Sequence, residues 1–170
     1  MLNINQHFAD DMRSRVYIET SVISYLTARK GKDAMKAACQ QVTLRWWNTR
    51  LAAVDPFVSP YVVEEASAGD ARAATARIDV LRTIPLLSIE PEIIVLAQYL
   101  LHGGGLPAKA KFDALHIACA AYHRMDVLLT WNCTHIANPM QLPVMRRLCA
   151  AKGYRLPELV TPFEMLEVIE

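Results

Sequence analysis

Charge of one sign is what this sequence most plainly lacks. Its 18 basic and 17 acidic side chains leave a formal net charge of +1 over 170 residues. Net charge therefore does not announce a nucleic-acid binder, and any basic surface must be local. No apolar run approaches the roughly 20 residues of a membrane-spanning helix, so no membrane role is expected. Residues 1–14 are polar and have no apolar segment of the kind a secretion signal carries. They read as a flexible N-terminal arm, with Met12 an alternative start. Cysteine is sparse and unpatterned: Cys39, Cys119, Cys133 and Cys149 are widely spaced, three of them in apolar surroundings. Free thiols in a reducing cytoplasm fit that usage better than a disulfide framework. Neither a Gly-x-Ser-x-Gly elbow nor a Gly-x-Gly-x-x-Gly fingerprint occurs, which counts against a small α/β hydrolase. "HGGGLPAKAK" (102–111) lacks the Gly-Lys-Ser/Thr ending of a phosphate loop and reads as a helix stop and flexible turn.

What the chain does have is apolar residues, 53% of the total, enough for one full core. "RVYI" (15–18) reads as a short buried strand, and the Thr20 and Ser21 that follow can cap a helix. Helical spacing runs over residues 33–50, with Trp46 and Trp47 near its end. Further strands are expected in "PFVS" (56–59), "IPLLSI" (84–89) and "MDVLLTW" (125–131), with a short fifth in "LPELVT" (156–161). Between them lie helical patterns: 59–69, with Ser59 as N-cap, Pro60 first and Gly69 as stop; 70–83, opened by Asp70; 90–105; one within 106–124; 138–153; and a closing one from 162. Strands alternating with helices imply an α/β fold with a parallel sheet covered on both faces. In such sheets ligands bind past the carboxyl ends of the strands.

Several oxygen donors fall near that edge. Glu19 follows the first strand, Glu64 and Glu65 lie on the helix after the second, Asp113 opens the helix before "MDVLLTW", and Asn132 follows that strand. Carboxylates about 4 Å apart repel by roughly 1 kcal/mol in water and about 4 kcal/mol at an effective dielectric near 20. Three together call for a cation or a proton. Mg²⁺ and Mn²⁺ prefer such oxygen ligands, acidify bound water and neutralise phosphate charge, a combination suited to phosphodiester hydrolysis. Against this, Glu19 can serve merely to cap the first helix. Asp113 is harder to explain as surface, since it sits beside Ala114, Leu115, Ile117 and Ala118. Glu64 and Glu65 are adjacent, so one at most faces the site.

"VYIETSVISYL" (16–26), "VSPYVVEEASAGD" (58–70), "DALHIACAAYHRMDVLLTWN" (113–132) and "HIAN" (135–138) together resemble the PIN-domain family, and within it the VapC-like toxins of toxin–antitoxin pairs. The resemblance extends over nearly the whole chain from Arg15. It implies a three-layer α/β/α fold with a central, mainly parallel sheet of four or five strands, forming one nuclease domain over 15–170. It also implies a Mg²⁺- or Mn²⁺-dependent endoribonuclease that leaves a 5′-phosphate and a 3′-hydroxyl. Carried over residue by residue, its metal-binding acids fall on Glu19, Glu65 rather than Glu64, and Asp113, with Asn132 as the fourth catalytic position. Thr20 or Ser21 matches the hydroxyl that steadies the first acid, and Thr130 leads into the fourth position. His116 packs beside the acids as a supporting neighbour. The implied partners are an RNA substrate, a cognate antitoxin protein and a second copy of the chain. This sequence departs from the family at Glu19, usually Asp, where an extra methylene moves the carboxylate, and at Asn132, a neutral ligand. Those departures motivate a second reading, a PIN-like module weakened in catalysis that binds RNA or a protein.

Other features compete. His116, Cys119 and His123, with Cys133 and His135 nearby, offer zinc ligands, but their spacing matches no standard zinc pattern. Arg29, Lys109 and Lys111 are candidate contacts to an RNA backbone, within a local basic rim that also draws on Arg13, Arg15, Lys30 and Lys32; Arg146 and Arg147 form another basic pair. The helix over 33–50 suits core, dimer face or antitoxin groove. Its adjacent tryptophans, Trp46 and Trp47, point about 100° apart, so one is expected in the core and the other is expected to face elsewhere.

Overall fold

Val16, Tyr17 and Ile18 have no solvent exposure. The strand that carries them is thus covered on both faces, as inner strands of parallel sheets are. In the computed structural model, which describes residues 13–29, 31 and 33–167, this strand is Arg15–Ile18 (β1). Asp55–Phe57 (β2) pairs on one side, with Tyr17 opposite Phe57. Val127–Leu129 (β3) pairs on the other, with Tyr17 opposite Leu128, and carries Glu158–Val160 (β4) at its outer edge. The order is β2-β1-β3-β4 and every pairing is parallel. Parallel neighbours require crossovers, and helices supply them. Thr20–Thr27 (α1) and Ala34–Arg50 (α2) join β1 to β2. Pro60–Ser67 (α3), Ala71–Leu81 (α4), Pro91–His102 (α5) and Lys111–Tyr122 (α6) join β2 to β3. Leu142–Ala151 (α7) leads to β4, and Pro162–Glu167 (α8) follows it. The result is the expected three-layer, PIN-like α/β/α arrangement.

Local chemistry sets the helix boundaries. Asp33 caps α2 by accepting from the Lys36 amide at 2.9 Å, and Asp70 caps α4 by accepting from Ala73 at 2.9 Å. Pro60 stands in the first turn of α3, and Gly69 follows that helix with a φ of 86°, a conformation glycine adopts freely. Trp46 is fully buried while Trp47 is half-buried, edge-on to it with ring centroids 6.3 Å apart.

Two expectations are corrected. Glu19, not Thr20 or Ser21, is the N-cap of α1, its side chain accepting from the Ser21 amide. The "IPLLSI" segment makes no strand: it meets the sheet at a single parallel bridge, Val58 to Leu86. There Val58 donates to Pro85 at 3.1 Å and accepts from Leu87 at 2.8 Å. Pro85 has no N–H to extend the ladder, and Leu86 is exposed. The glycine run after α5 stops the helix as expected, and a Cβ on Gly103 would lie 2.6 Å from the Leu148 side chain. Of the expected arm, residues 1–12 lie outside the described residues, as do Lys30 and Lys32. Ser14 is attached, its carbonyl accepting from the Asp55 amide at 3.0 Å, and Arg13 lies 3.7 Å from the Asp55 carboxylate. No described helix is long and apolar enough to cross a membrane.

Candidate metal centre

From β1 the chain runs to β2 on one side of the sheet and later returns to β3 on the other. Such a switch point opens a crevice past the carboxyl ends of the strands. Glu19 enters it directly after β1, its amide donating to Leu129 of β3 at 3.0 Å. The residue is 6% exposed. It accepts from the Ser21 amide at 3.1 Å, from the Thr130 hydroxyl at 2.6 Å and from the Ser21 hydroxyl. Those bonds fix where the longer glutamate side chain ends.

Glu65 reaches the same crevice from α3, while Glu64 beside it is exposed. Its Oε2 accepts from the Thr20 hydroxyl at 2.5 Å and lies 2.7 Å from Nε2 of His116. Burial pushes the Glu65 pKa up, but the hydrogen bond and attraction of the His116 ring, with the Thr20 hydroxyl, outweigh it and hold the carboxyl below its ordinary range. His116, on α6, is 1% exposed. Its Nδ1 lies 2.7 Å from the Tyr17 hydroxyl, which in turn lies 2.6 Å from the Ser59 hydroxyl. Burial raises the Tyr17 pKa well above the usual phenol value, so the group remains a hydroxyl. Ser59 makes no capping bond to α3. Ligand atoms of Glu19, Glu65 and His116 all lie within 4.8 Å of one another.

Asp113 is not one of those three. It stands one turn before His116 on α6, where Oδ1 accepts from the Asn132 amide group at 3.0 Å and Oδ2 lies 2.8 Å from Nδ1 of His135. The Asn132 side-chain carbonyl accepts from the His135 backbone at 3.1 Å. The two groups of residues are joined through Thr130, which donates to Glu19 and accepts from the Asn132 backbone at 2.9 Å. The sequence-predicted residues thus form two linked sets: Glu19 with Glu65, and Asp113 with Asn132. Thr20, Ser21, Thr130 and His116 each bond to one of the acids. Two carboxylates with a third close by, offering hard oxygens around a crevice, fit a divalent ion; without one, hydroxyl, amide and imidazole hydrogens meet their charge.

Lys109, Lys111 and Arg29 are exposed, Lys111 two residues before Asp113. Arg15 is elsewhere: it opens β1, at the end away from Glu19, with its guanidinium on the His123 carbonyl at 2.7 Å and over the Phe57 ring. Arg146 lies 3.7 Å from Glu158. The soft-metal set is not assembled. His116 turns to Glu65, and His123 meets the Ser88 carbonyl at 2.9 Å. Burial pushes the Cys119 thiol up to about 12. Tyr17 and Ser59 are site residues that the sequence does not assign, since they read as strand and cap. His135 stands in the "HIAN" motif and among the possible zinc ligands, but its pairing with Asp113 has no sequence signal.

No protein-family model matches the chain, and no curated protein matches it. Among solved structures it is similar to Mycobacterium tuberculosis VapC20, described as a sarcin–ricin loop cleaving toxin. The TM-score is 0.55 at 15% identity, over 73% of this chain and 95% of that one. It is also similar to VapBC-1 from nontypeable Haemophilus influenzae, with a TM-score of 0.52 at 15% identity, over 86% of this chain and 97% of that one. The fold is that of the VapC toxins. The crevice at the β1–β3 switch point is therefore set in a VapC fold, as the sequence motifs implied.

Proposed function

We propose that this protein is a divalent-metal-dependent endoribonuclease and the toxin of a toxin–antitoxin pair. The observation that carries the reading is the gathering of Glu19, Glu65 and, through Thr130 and Asn132, Asp113 at one crevice of a VapC fold. Glu19, Glu65 and Asp113 would hold Mg²⁺ or Mn²⁺, which when bound supplies a Lewis acid for the phosphate and lowers the pKa of attacking water. The chain's own groups do the rest. Ser21 and Thr130 orient Glu19, Thr20 and His116 orient Glu65, and Asn132 with His135 orients Asp113. The exposed Lys109, Lys111 and Arg29 offer cations to the RNA backbone. A cytoplasmic antitoxin and a second copy of the chain are the expected partners, and Met35 and Leu44, exposed on α2, offer apolar surface for one of them. The VapBC-1 likeness supports the antitoxin.

One observation favours the second reading, a weakened binding module: both Asp113 oxygens are engaged by Asn132 and His135. Incubation of RNA, including a sarcin–ricin loop oligonucleotide, with Mg²⁺, Mn²⁺ or EDTA separates the two. The nuclease predicts metal-dependent cleavage to 5′-phosphate ends, lost in Asp113→Ala of matched folding. Cleavage that survives in the variant contradicts the site. No cleavage of any RNA with either metal favours the module.

A further inference from the structure

The geometry points to His116 as a nitrogen ligand of the same ion, making this a mixed oxygen–nitrogen centre; the inference rests on the metal-dependent reading above. Asp113 and His116 stand three residues apart on α6 and so share one helix face. A carboxylate and a histidine at that spacing are how helices in di-metal bundles present ligands to an ion. Distances agree. Donors about 2.1 Å from one ion lie roughly 3.0 Å apart at right angles and about 4.2 Å apart when opposite. Nε2 of His116 is 2.7 Å from Glu65, and the Glu19, Glu65 and His116 donors all fall within 4.8 Å.

The far side of the ring argues the same way. A histidine bound to a metal through one nitrogen has the other held by a fixed partner. Here Nδ1 is held by Tyr17, and Tyr17 by Ser59, all three side chains almost fully buried. Burying such a line of polar groups is costly unless each is satisfied. Both partners are hydroxyls, which donate or accept with equal ease. In a neutral ring, a hydrogen on Nε2 faces Glu65 and Nδ1 accepts from Tyr17. With Nε2 on a metal, the hydrogen moves to Nδ1 and Tyr17 accepts it, turning its own O–H to Ser59. One hydrogen changes nitrogen, none is lost, and no heavy atom in the line needs to move. A partner limited to donating would forbid that exchange. The centre then prefers Mn²⁺ to Mg²⁺, because imidazole is a poor match for Mg²⁺.

The test is pulsed electron paramagnetic resonance on the full chain loaded with Mn²⁺, which detects coupling to a ligating nitrogen. Wild type and His135→Asn should both show that coupling, and His116→Asn should lose it. Tyr17→Phe, which keeps the ring's packing, should weaken Mn²⁺ binding about 10–100-fold in a titration, the usual effect of removing a ligand's fixed partner. The wild-type spectrum, the His135→Asn control and Tyr17→Phe decide the matter even if His116→Asn fails to fold. Bound Mn²⁺ without nitrogen coupling in wild type, or with its coupling lost in a His135→Asn protein that still binds Mn²⁺, overturns the role of His116 and leaves a metal site standing. No uptake of Mn²⁺ overturns both this inference and the metal-dependent nuclease.

Discussion

Thr130 is fully buried between the two halves of the site, donating to Glu19 at 2.6 Å and accepting from the Asn132 backbone at 2.9 Å. Thr130→Val keeps the shape and deletes both bonds, leaving a buried carboxylate short of a donor. A loss of about 1–3 kcal/mol is expected, measured by urea unfolding of the metal-free protein. The resemblance favours Glu65 over Glu64, and in the fold Glu65 reaches the crevice while Glu64 is exposed. Glu19 proved to be both cap and cluster member, so its two readings were not alternatives. Tyr17 was not legible, because a tyrosine in a buried strand reads as packing until the fold sets a histidine against its hydroxyl. Nor was the pairing of Asp113 with His135, which depends on how the turn after β3 folds.

At the scale of elements, Asp70 opens α4 where the sequence places it, and Asp33 caps α2 in the same way. Asp70→Ala should cost about 1 kcal/mol in thermal or urea unfolding through loss of the Ala73 amide's partner, with no change in metal uptake. Ser59 shows the limit of that reading. It occupies an N-cap position, yet its hydroxyl is committed to Tyr17. The bounds of β1 are visible in "RVYI", since a run of fully buried residues has one use in a parallel sheet. "IPLLSI" makes no strand because an apolar run does not by itself supply ladder donors, and Pro85 withholds one beside the single bridge.

For the molecule as a whole, the alternation of strand and helix was enough to predict a parallel sheet, and the order β2-β1-β3-β4 puts the switch point where Glu19 and Thr130 enter. The spacing could not say which acids would meet at donor distance, because that depends on side-chain bonds across α1, α3 and α6. Burial also separates the thiols. Cys133 is exposed, whereas Cys119 and Cys149 are buried and pushed up to about 12 and about 11. At pH 8 native Cys119 is thiolate in roughly one molecule in 10⁴, against about a quarter at an ordinary thiol pKa near 8.5. Labelling at that pH should therefore modify Cys133 first and reach Cys119 and Cys149 at the rate of global opening, read by mass spectrometry with and without urea. Fast modification of Cys119 in the folded protein would contradict the packing of α6. The most direct measurement of the central claim is the rate of metal-dependent RNA cleavage by Glu65→Gln beside Glu64→Gln, one residue apart on α3. Glu65→Gln should lose more than the ~100-fold typical of removing a ligand's supporting partner, while Glu64→Gln cleaves like wild type. Equal rates in the two variants would mean that the Glu19, Glu65 and Asp113 crevice is not where the RNA is cut.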